Sequence, residues 1–455
     1  MNRAALAALL VACACRSVDE DHDAQVARYR FALDAGLSED ADESVPATLD
    51  ARAAMLLANK RNERLDIEGE AYLRALNARR RAAAGWLPRF DLTPSYFLRD
   101  AGPGADNGID LPLVATYDLN PQSVENEQLR ARFESRRRLA LLYAAQDALL
   151  IDVARTHFAV LQAERSRAVL EGSLRLQEAR VQDVRARNEV GVARPLDVAL
   201  SESSLVDARV ALINTERNTL NGRSLLAFLT GARLEEVALS RALALGEEVR
   251  TVEELETLAL ARRPDYVAIA DEIEAAGRAI EVAKAQWWPS LRVDLAGFLA
   301  RDSQPSDVDW TGLFRVSLPL FEGGRIRADI LDAFSFLREA KLRQSLLARS
   351  IRRDVEVAHT NLRTGVDRVA ALRQQLAAAD EAFAQAEALY DAGLATNLER
   401  VTAQDQRLRT ALSLENAELD LGIFRLDFLR VTGTLHAWLG LERPSAPEGD
   451  DAEAR

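Results

Sequence analysis

Residues 188–198 read NEVGVARPLDV, and residues 390–400 read YDAGLATNLER. Aligned on Gly191 and Gly393, the two stretches stand 202 residues apart. The same offset pairs Asp197 with Glu399, Asp152 with Asp354, His157 with His359, and Thr230-Gly231 with Thr432-Gly433. At an offset of 201, Trp86-Leu87-Pro88 pairs with Trp287-Trp288-Pro289. One spacing held from Pro88 to Gly433 marks a duplicated unit of about 200 residues. The chain's 455 residues alone would have suggested about three independent domains.

Each quoted stretch joins two long segments that hold few helix breakers. The first segment of each unit covers about 122–189 and 324–390, and the second about 196–230 and 398–432. At 1.5 Å per residue the longer one would span about 100 Å as a helix. Leu142, Gln146, Leu149, Val153, Thr156, Val160 and Ala163 alternate spacings of four and three, a thin heptad-like seam. The turns between the segments are only GVARP and GLATN, short enough to require antiparallel helical hairpins. Gly191 and Gly393 then end the first helix of each pair, and Pro195 suits the first turn of the returning one.

Upstream, helical stretches at 49–85 and 253–286 end at the Trp-x-Pro element, where proline stops a helix. Period-two alternation follows. Leu291, Val293, Leu295, Gly297 and Leu299 alternate with Arg292, Asp294, Ala296 and Phe298; Phe314, Val316, Leu318 and Leu320 alternate with Leu313, Arg315, Ser317 and Pro319. The first unit offers Phe90, Leu92, Pro94, Tyr96 and Leu98, a Gly-rich loop, then Leu111, Leu113, Ala115, Tyr117 and Leu119. By itself such alternation fits a membrane barrel strand or a half-buried strand of a soluble sandwich. Four strands cannot close a barrel, and an open edge leaves backbone groups unsatisfied in lipid. In a membrane, closure would come from several chains. Three copies would supply about twelve strands, an even number in the bacterial range.

The composition is 48% hydrophobic, enough for a large core, and the net charge of −13 argues against a nucleic-acid partner. The two cysteines, Cys13 and Cys15, lie in the first fifteen residues, and the four histidines are far apart. No catalytic residue, metal site or cofactor is expected, because no nucleophile–base pair, phosphate loop or ligand cluster has supporting spacing. His157 and His359 are read as helix-packing positions. Residues 1–12 read as a secretory signal peptide, and Leu10-Val11-Ala12-Cys13 resembles a bacterial lipobox with Cys13 as the lipid attachment residue. Residues 13–48 are acidic and read as an exposed N-terminal tether. The first repeat is placed at 49–231, with strands about 89–98 and 111–119 and hairpin 122–230. A linker at 232–252 follows. The second repeat is placed at 253–433, with strands about 290–300 and 312–321 and hairpin 324–432, and 434–455 is a C-terminal tail.

With these pieces in order, the sequence from about 49 to 433 closely resembles the TolC-type outer-membrane efflux proteins. The carrying motifs are Arg263-Pro264-Asp265 before an Ala/Glu-rich helix, Trp287-Trp288-Pro289 before a strand, Trp310-x-Gly312-Leu313, and Pro319-Leu320-Phe321-Glu322-Gly323-Gly324-Arg325. The two G-x-A-x-x-L-[DE] turns complete the set. The resemblance implies a mainly α protein with a small membrane β-barrel: a homotrimer with a twelve-stranded barrel and a long α-helical periplasmic tunnel. The implied function is the outer-membrane conduit of a tripartite efflux or type I secretion system. It would be lipid-anchored in the outer membrane, docking a periplasmic membrane-fusion adaptor and an inner-membrane pump of the RND, ABC or similar class. The family's gate residues fall on Asp197, Glu399 and Tyr390, with an Asp197–Tyr390 hydrogen bond across neighbouring hairpins; carboxylate rings of this kind favour cations. The adaptor-docking tips would be Gly191, Val192, Ala193, Arg194, Gly393, Leu394, Ala395 and Thr396. Departures from the family pattern are Thr402 at a second acidic position and Ala395 at a basic one. The first unit also has Tyr117-Asp118-Leu119-Asn120-Pro121 in place of the double-glycine junction. The competing reading is a periplasmic coiled-coil structural lipoprotein without a pore, which would have no use for the alternating segments.

Overall fold

The structure is a computed structural model that describes residues 18–35, 46–100, 105–234, 237–243, 251–303 and 308–443. Cys13 and the signal segment lie outside the described residues. Two long helical hairpins dominate. Helix α4 (Pro121–Glu189) returns as α5 (Pro195–Thr230), and α8 (Arg325–Asp391) returns as α9 (Asn397–Val431). With 69 and 67 residues, α4 and α8 are each about 100 Å long. Ahead of each hairpin stands a pair of shorter helices: α2 (Ala51–Arg61) with α3 (Glu63–Ala83), and α6 (Val252–Arg262) with α7 (Pro264–Ala285). The described part is mainly helical, as expected.

The repeat is visible in the joints. Gly231 and Gly433 cap α5 and α9 in the left-handed region, at φ 61° and 70°. A Cβ on either would press on Arg61 or Arg262 respectively, at the end of the facing short helix. Each returning helix is thereby seated on the junction of its short helix pair. In the second unit the Arg-Pro-Asp motif builds that junction. The Asp265 carboxylate accepts from Nε and Nη2, one edge of the Arg263 guanidinium, at 3.1 and 2.7 Å, and Asp354 of α8 lies 3.6 Å away. In the first unit Asn62 holds the same place, donating to the Leu229 carbonyl at 2.8 Å.

One antiparallel sheet carries the alternating segments, in the order β2 (Arg89–Leu92) and β3 (Ser95–Asp100), then β4 (Ala105–Leu119), β6 (Ser290–Arg301) and β7 (Trp310–Ser317). β2 and β3 pair with successive halves of β4. The first strand is thus broken around Thr93-Pro94, and β4 is longer than expected because residues 105–110 continue it. Its register slips at Leu111/Pro112, where proline removes a ladder donor. The register places Phe90 and Leu92, Leu113, Ala115 and Tyr117, Leu291, Val293 and Leu295, and Phe314 and Val316 on one face. The opposite face carries Asp91, Thr116, Asp118, Arg292, Asp294 and Arg315, with an Arg292–Asp118 ion pair at 2.6 Å. Phe314 and Val316 are each 70% exposed, so the apolar face is uncovered within one chain. At the sheet-to-helix crossings, Gly323 and Gly324 take φ 58° and 87° to turn into α8. The first unit achieves the same turn with an Asn120 N-cap, whose side chain accepts from Ser123, and Pro121 at the first helical position.

The main core sits midway along the helices, where α2, α3, α4, α5 and α9 meet around Met55, Leu65, Leu142, Leu150, Leu226 and Leu426. The segment expected to be an exposed tether is ordered here over α1 (Val18–Asp34), and that expectation is corrected. Tyr29 and Leu33 are buried in the core cluster, and the Tyr29 hydroxyl donates to Asp66 at 3.0 Å. Gln146, the polar member of the thin seam, donates to the Leu33 carbonyl and to Asn59, so it fastens α1 to α4. The inter-repeat linker also joins this region. β5 (Ala238–Leu239) pairs in parallel with β1 (Thr48–Leu49), and the Ser240 carbonyl lies 3.0 Å from buried His157. His359, its repeat partner, is half-buried on α8. No helix among the described residues is long and apolar enough to cross a membrane.

Candidate functional site

The two hairpin turns are built alike, bond for bond. In the first, the Arg187 carbonyl accepts from Val192 and Ala193 at 2.8 and 3.1 Å, and Gly191 donates to Asn188 at 2.9 Å. In the second, the Leu389 carbonyl accepts from Leu394 and Ala395 at 2.8 and 3.2 Å, and Gly393 donates to Tyr390 at 3.0 Å. Gly191 and Gly393 stand at φ 80° and 74°, where another L-residue would cost about 1–2 kcal/mol. The tight turn pushes its next residue outward: Val192 is 74% and Leu394 78% exposed. Leu196 and Leu398, one turn on, are also exposed. Each tip therefore presents two apolar side chains at matching positions.

Both acidic residues singled out in the sequence sit at the third position of the returning helix. The Asp197 carboxylate accepts from the Arg194 backbone at 3.1 Å and from its guanidinium at 3.1 and 3.0 Å. The Arg194 contact holds Asp197 below the ordinary carboxylate range. Glu399 and Thr396 form a reciprocal capping box: Thr396 N–H to Glu399 at 2.6 Å, and Glu399 N–H to the Thr396 hydroxyl at 3.3 Å. The Thr396 backbone and hydroxyl bonds hold Glu399 below its ordinary range. Both groups are anions at neutral and mildly acid pH.

Within the chain Asp197 turns to Arg194, and Tyr390 is gripped by other groups. Its ring is 8% exposed and lies between two guanidiniums, with Arg187 4.7 Å and Arg400 3.8 Å from its centre. Asp183 joins them, 2.9 Å from Arg187 and 3.8 Å from Arg400. Arg400 also donates to Asn397, and Asn397 reaches Ser201 of α5 at 3.3 Å. Four helices, two from each hairpin, are joined through these contacts. Sequence reasoning found Tyr390 but missed Arg187, Arg400 and Asp183, because charged residues on a long helix read as solvated surface. The one available signal was Arg187 four residues before Gly191 and Arg400 seven after Gly393. Thr402 is exposed and bonds only the carbonyl of Leu398. Among the described residues no group of His, Cys, Asp and Glu is arranged to hold a metal ion.

This architecture has counterparts among known proteins. Residues 255–434 match the model of the outer membrane efflux protein family. The outer membrane efflux protein BepC of Brucella suis is 25% identical over 293 residues, which make up 62% of this chain and 63% of that protein, a little under two thirds of its length. The outer membrane protein TolC of Vibrio cholerae is 21% identical over 362 residues, 77% of this chain and 82% of the relative. Among solved structures, the CmeC outer membrane channel of Campylobacter jejuni has a TM-score of 0.78 at 16% identity, covering 89% of each chain. The outer membrane protein VceC of Vibrio cholerae has a TM-score of 0.75 at 18% identity, covering 84% of this chain and 96% of that one. The family model lies on the second repeat and the fold is shared across both, so the chain is similar to the outer membrane efflux proteins over both halves.

Proposed function

We propose that the protein is the outer-membrane channel of a tripartite efflux or type I secretion system. The observation that carries this reading is the sheet: one uncovered apolar face, one charged face, and two open edges on a single chain. An open edge is not tolerated in lipid, and three copies would close it into a barrel of about twelve strands. The exposed stripe of Val206, Val210, Ile213, Leu220 and Phe228 along α5 supports contact with a further copy. In that homotrimer the two hairpins of each protomer, built on the repeats at 49–231 and 253–433, form the wall of a periplasmic tunnel. Cys13 anchors the chain to outer-membrane lipid. This placement is supported by the course of α1, which runs antiparallel to α3 with His22 near Glu70, so that its start points toward the sheet.

The tips are the docking end for a periplasmic adaptor, which connects the channel to an inner-membrane pump. Their exposed apolar pairs carry that role. Burying one such side chain contributes about 1.5–3 kcal/mol. Val192→Asp with Leu394→Asp removes two per protomer and should weaken adaptor binding at least roughly a hundredfold. The check is co-purification: the double variant reaches the outer membrane as a trimer and loses the adaptor that the wild type retains. Retention of the adaptor at wild-type yield would refute the docking role.

Three copies of Asp197 and Glu399 place six carboxylates around the periplasmic opening, a cation-favouring ring. Because both groups titrate below the ordinary carboxylate range, selectivity should persist at pH 5 and fade only in stronger acid. Asp197→Asn with Glu399→Gln should abolish it at every pH, read as the reversal potential across a salt gradient in planar bilayers. Unchanged cation preference in that variant would exclude the ring.

A further inference from the structure

Behind Tyr390, where α4 packs on α9, buried polar groups outnumber their partners. Ser173, Gln177 and Arg180 follow one another on a single face of α4, and Arg400 and Gln404 stand one turn apart on α9. All five are 9% exposed or less, and Arg180 is 3% exposed. Ser173 Oγ, Gln177 Oε1, both terminal nitrogens of Arg180, Arg400 Nε and both amide atoms of Gln404 have no hydrogen-bond partner. Native proteins pair buried polar groups almost without exception, and an unpaired buried charge is among the costliest defects.

The missing partner is negative. Asp183 accepts from Arg187 through one oxygen, and its other oxygen, 3.8 Å from Arg400, has no hydrogen-bond partner, so the lack is at Arg180. Among the described residues no carboxylate comes within ion-pair distance of Arg180. Glu387 and Asp405 act on Arg180 from farther away, and the nearby charge of Arg400 works against it. Burial, first, and Arg400, second, bring the Arg180 guanidinium down to about 10. Two guanidiniums thus act on one another in a buried site, and the amides of Gln177 and Gln404 lie about one turn from them on the same helices.

We infer that Arg180 and Arg400, with the amides of Gln177 and Gln404, hold a small inorganic anion of chloride size between the two hairpins of one protomer. Close packing between α4 and α9 favours a monatomic ion over a bulkier oxyanion. The ion would partner the unpaired nitrogens and relieve the repulsion between the two cations. It would also brace the cluster that grips Tyr390, so that hairpin closure depends on anion concentration. The inference rests on the geometry of the hairpins and does not require the channel reading.

Bromide serves as the probe. Crystals of the detergent-solubilised wild-type protein grown in bromide should show an anomalous peak within about 3.5 Å of guanidinium nitrogens of both Arg180 and Arg400. Arg180→Gln should lose the peak. In solution, chloride replacing gluconate at constant ionic strength should raise the wild-type melting temperature, and the variant should not respond. A wild-type crystal with no peak and with Arg180 bonded to Glu387 or Asp405 would overturn the assignment. So would a peak unchanged in Arg180→Gln, which would mark an adventitious ion only.

Discussion

Tyr390→Ala should let the tip ends of the two hairpins separate and raise the open population about fivefold. The ring is buried between Arg187 and Arg400, and a desolvated cation–π contact contributes up to about 2 kcal/mol. Only the Arg187 contact crosses between the hairpins, since Arg400 and Tyr390 share one; counting about 1 kcal/mol for it, with the Arg187 side chain 33% exposed, truncation shifts the opening equilibrium roughly fivefold. The loss is larger if the cations, left over a cavity, repel one another. Single-channel recording in planar bilayers reads the result as open probability. Tyr390→Phe supplies the control, because it keeps the ring and removes only the hydroxyl. The cation–π account requires the phenylalanine variant to behave as wild type. A phenylalanine variant as leaky as the alanine one would place the latch on the hydroxyl, and so on the Asp197 contact that the sequence suggested.

That contrast shows what could be read from the sequence. The duplication, the turns and the caps were legible because each is local: a glycine that must be left-handed, a proline at a first turn, an acid three residues into a helix. The strands were legible on the apolar side, where Leu291, Val293 and Leu295 alternate with charge, and the register confirmed one shared face. The cluster around Tyr390 was not legible. Arg187 and Arg400 belong to helices in different repeats, and only the packing of one hairpin on the other brings them to the same ring. The docked helix α1 was missed for a different reason. Its acidic start drew the reading toward a tether, although Val26, Tyr29 and Leu33 stand at spacings of three and four, as a helix face requires. The extension of β4 was hidden by the glycines of residues 101–108, which look like a loop until Ser95–Asp100 lies against Ala105–Asp110.

Arg443→Met should destabilise the protomer by about 3–5 kcal/mol, the usual consequence of stranding a buried charge. Arg443 lies just beyond the last helix among the described residues, α10 (Leu435–Leu439), and its guanidinium meets the Asp147 carboxylate of α4 at 2.5 Å. The two side chains are only 12% and 9% exposed, and the guanidinium sits 5.2 Å over the ring of Tyr143. This pair clasps the C-terminal end of the chain onto the first hairpin, far from both tips. Burial raises Asp147 above its ordinary range even with Arg443 opposing it, so the folded state holds that proton more tightly than the unfolded chain. Its contribution therefore falls as pH rises from the ordinary aspartate range through the raised value. In Arg443→Met the opposing charge is gone and that window widens upward. The variant should then be weakest at high pH and recover part of its stability as acid protonates Asp147. Burial and Arg443 together hold His436 down to about 4 in the wild type, and the variant relieves that second contribution, which also favours recovery in acid. Adding Asp147→Asn should restore most of the loss, because a neutral amide needs no counter-charge. The measurement is the urea midpoint of the detergent-solubilised protein at pH 6 and pH 8 for both single variants and the double. An Arg443→Met defect equal at the two pH values, or unrelieved by Asp147→Asn, would show that the arginine acts through its stacking on Tyr143 instead.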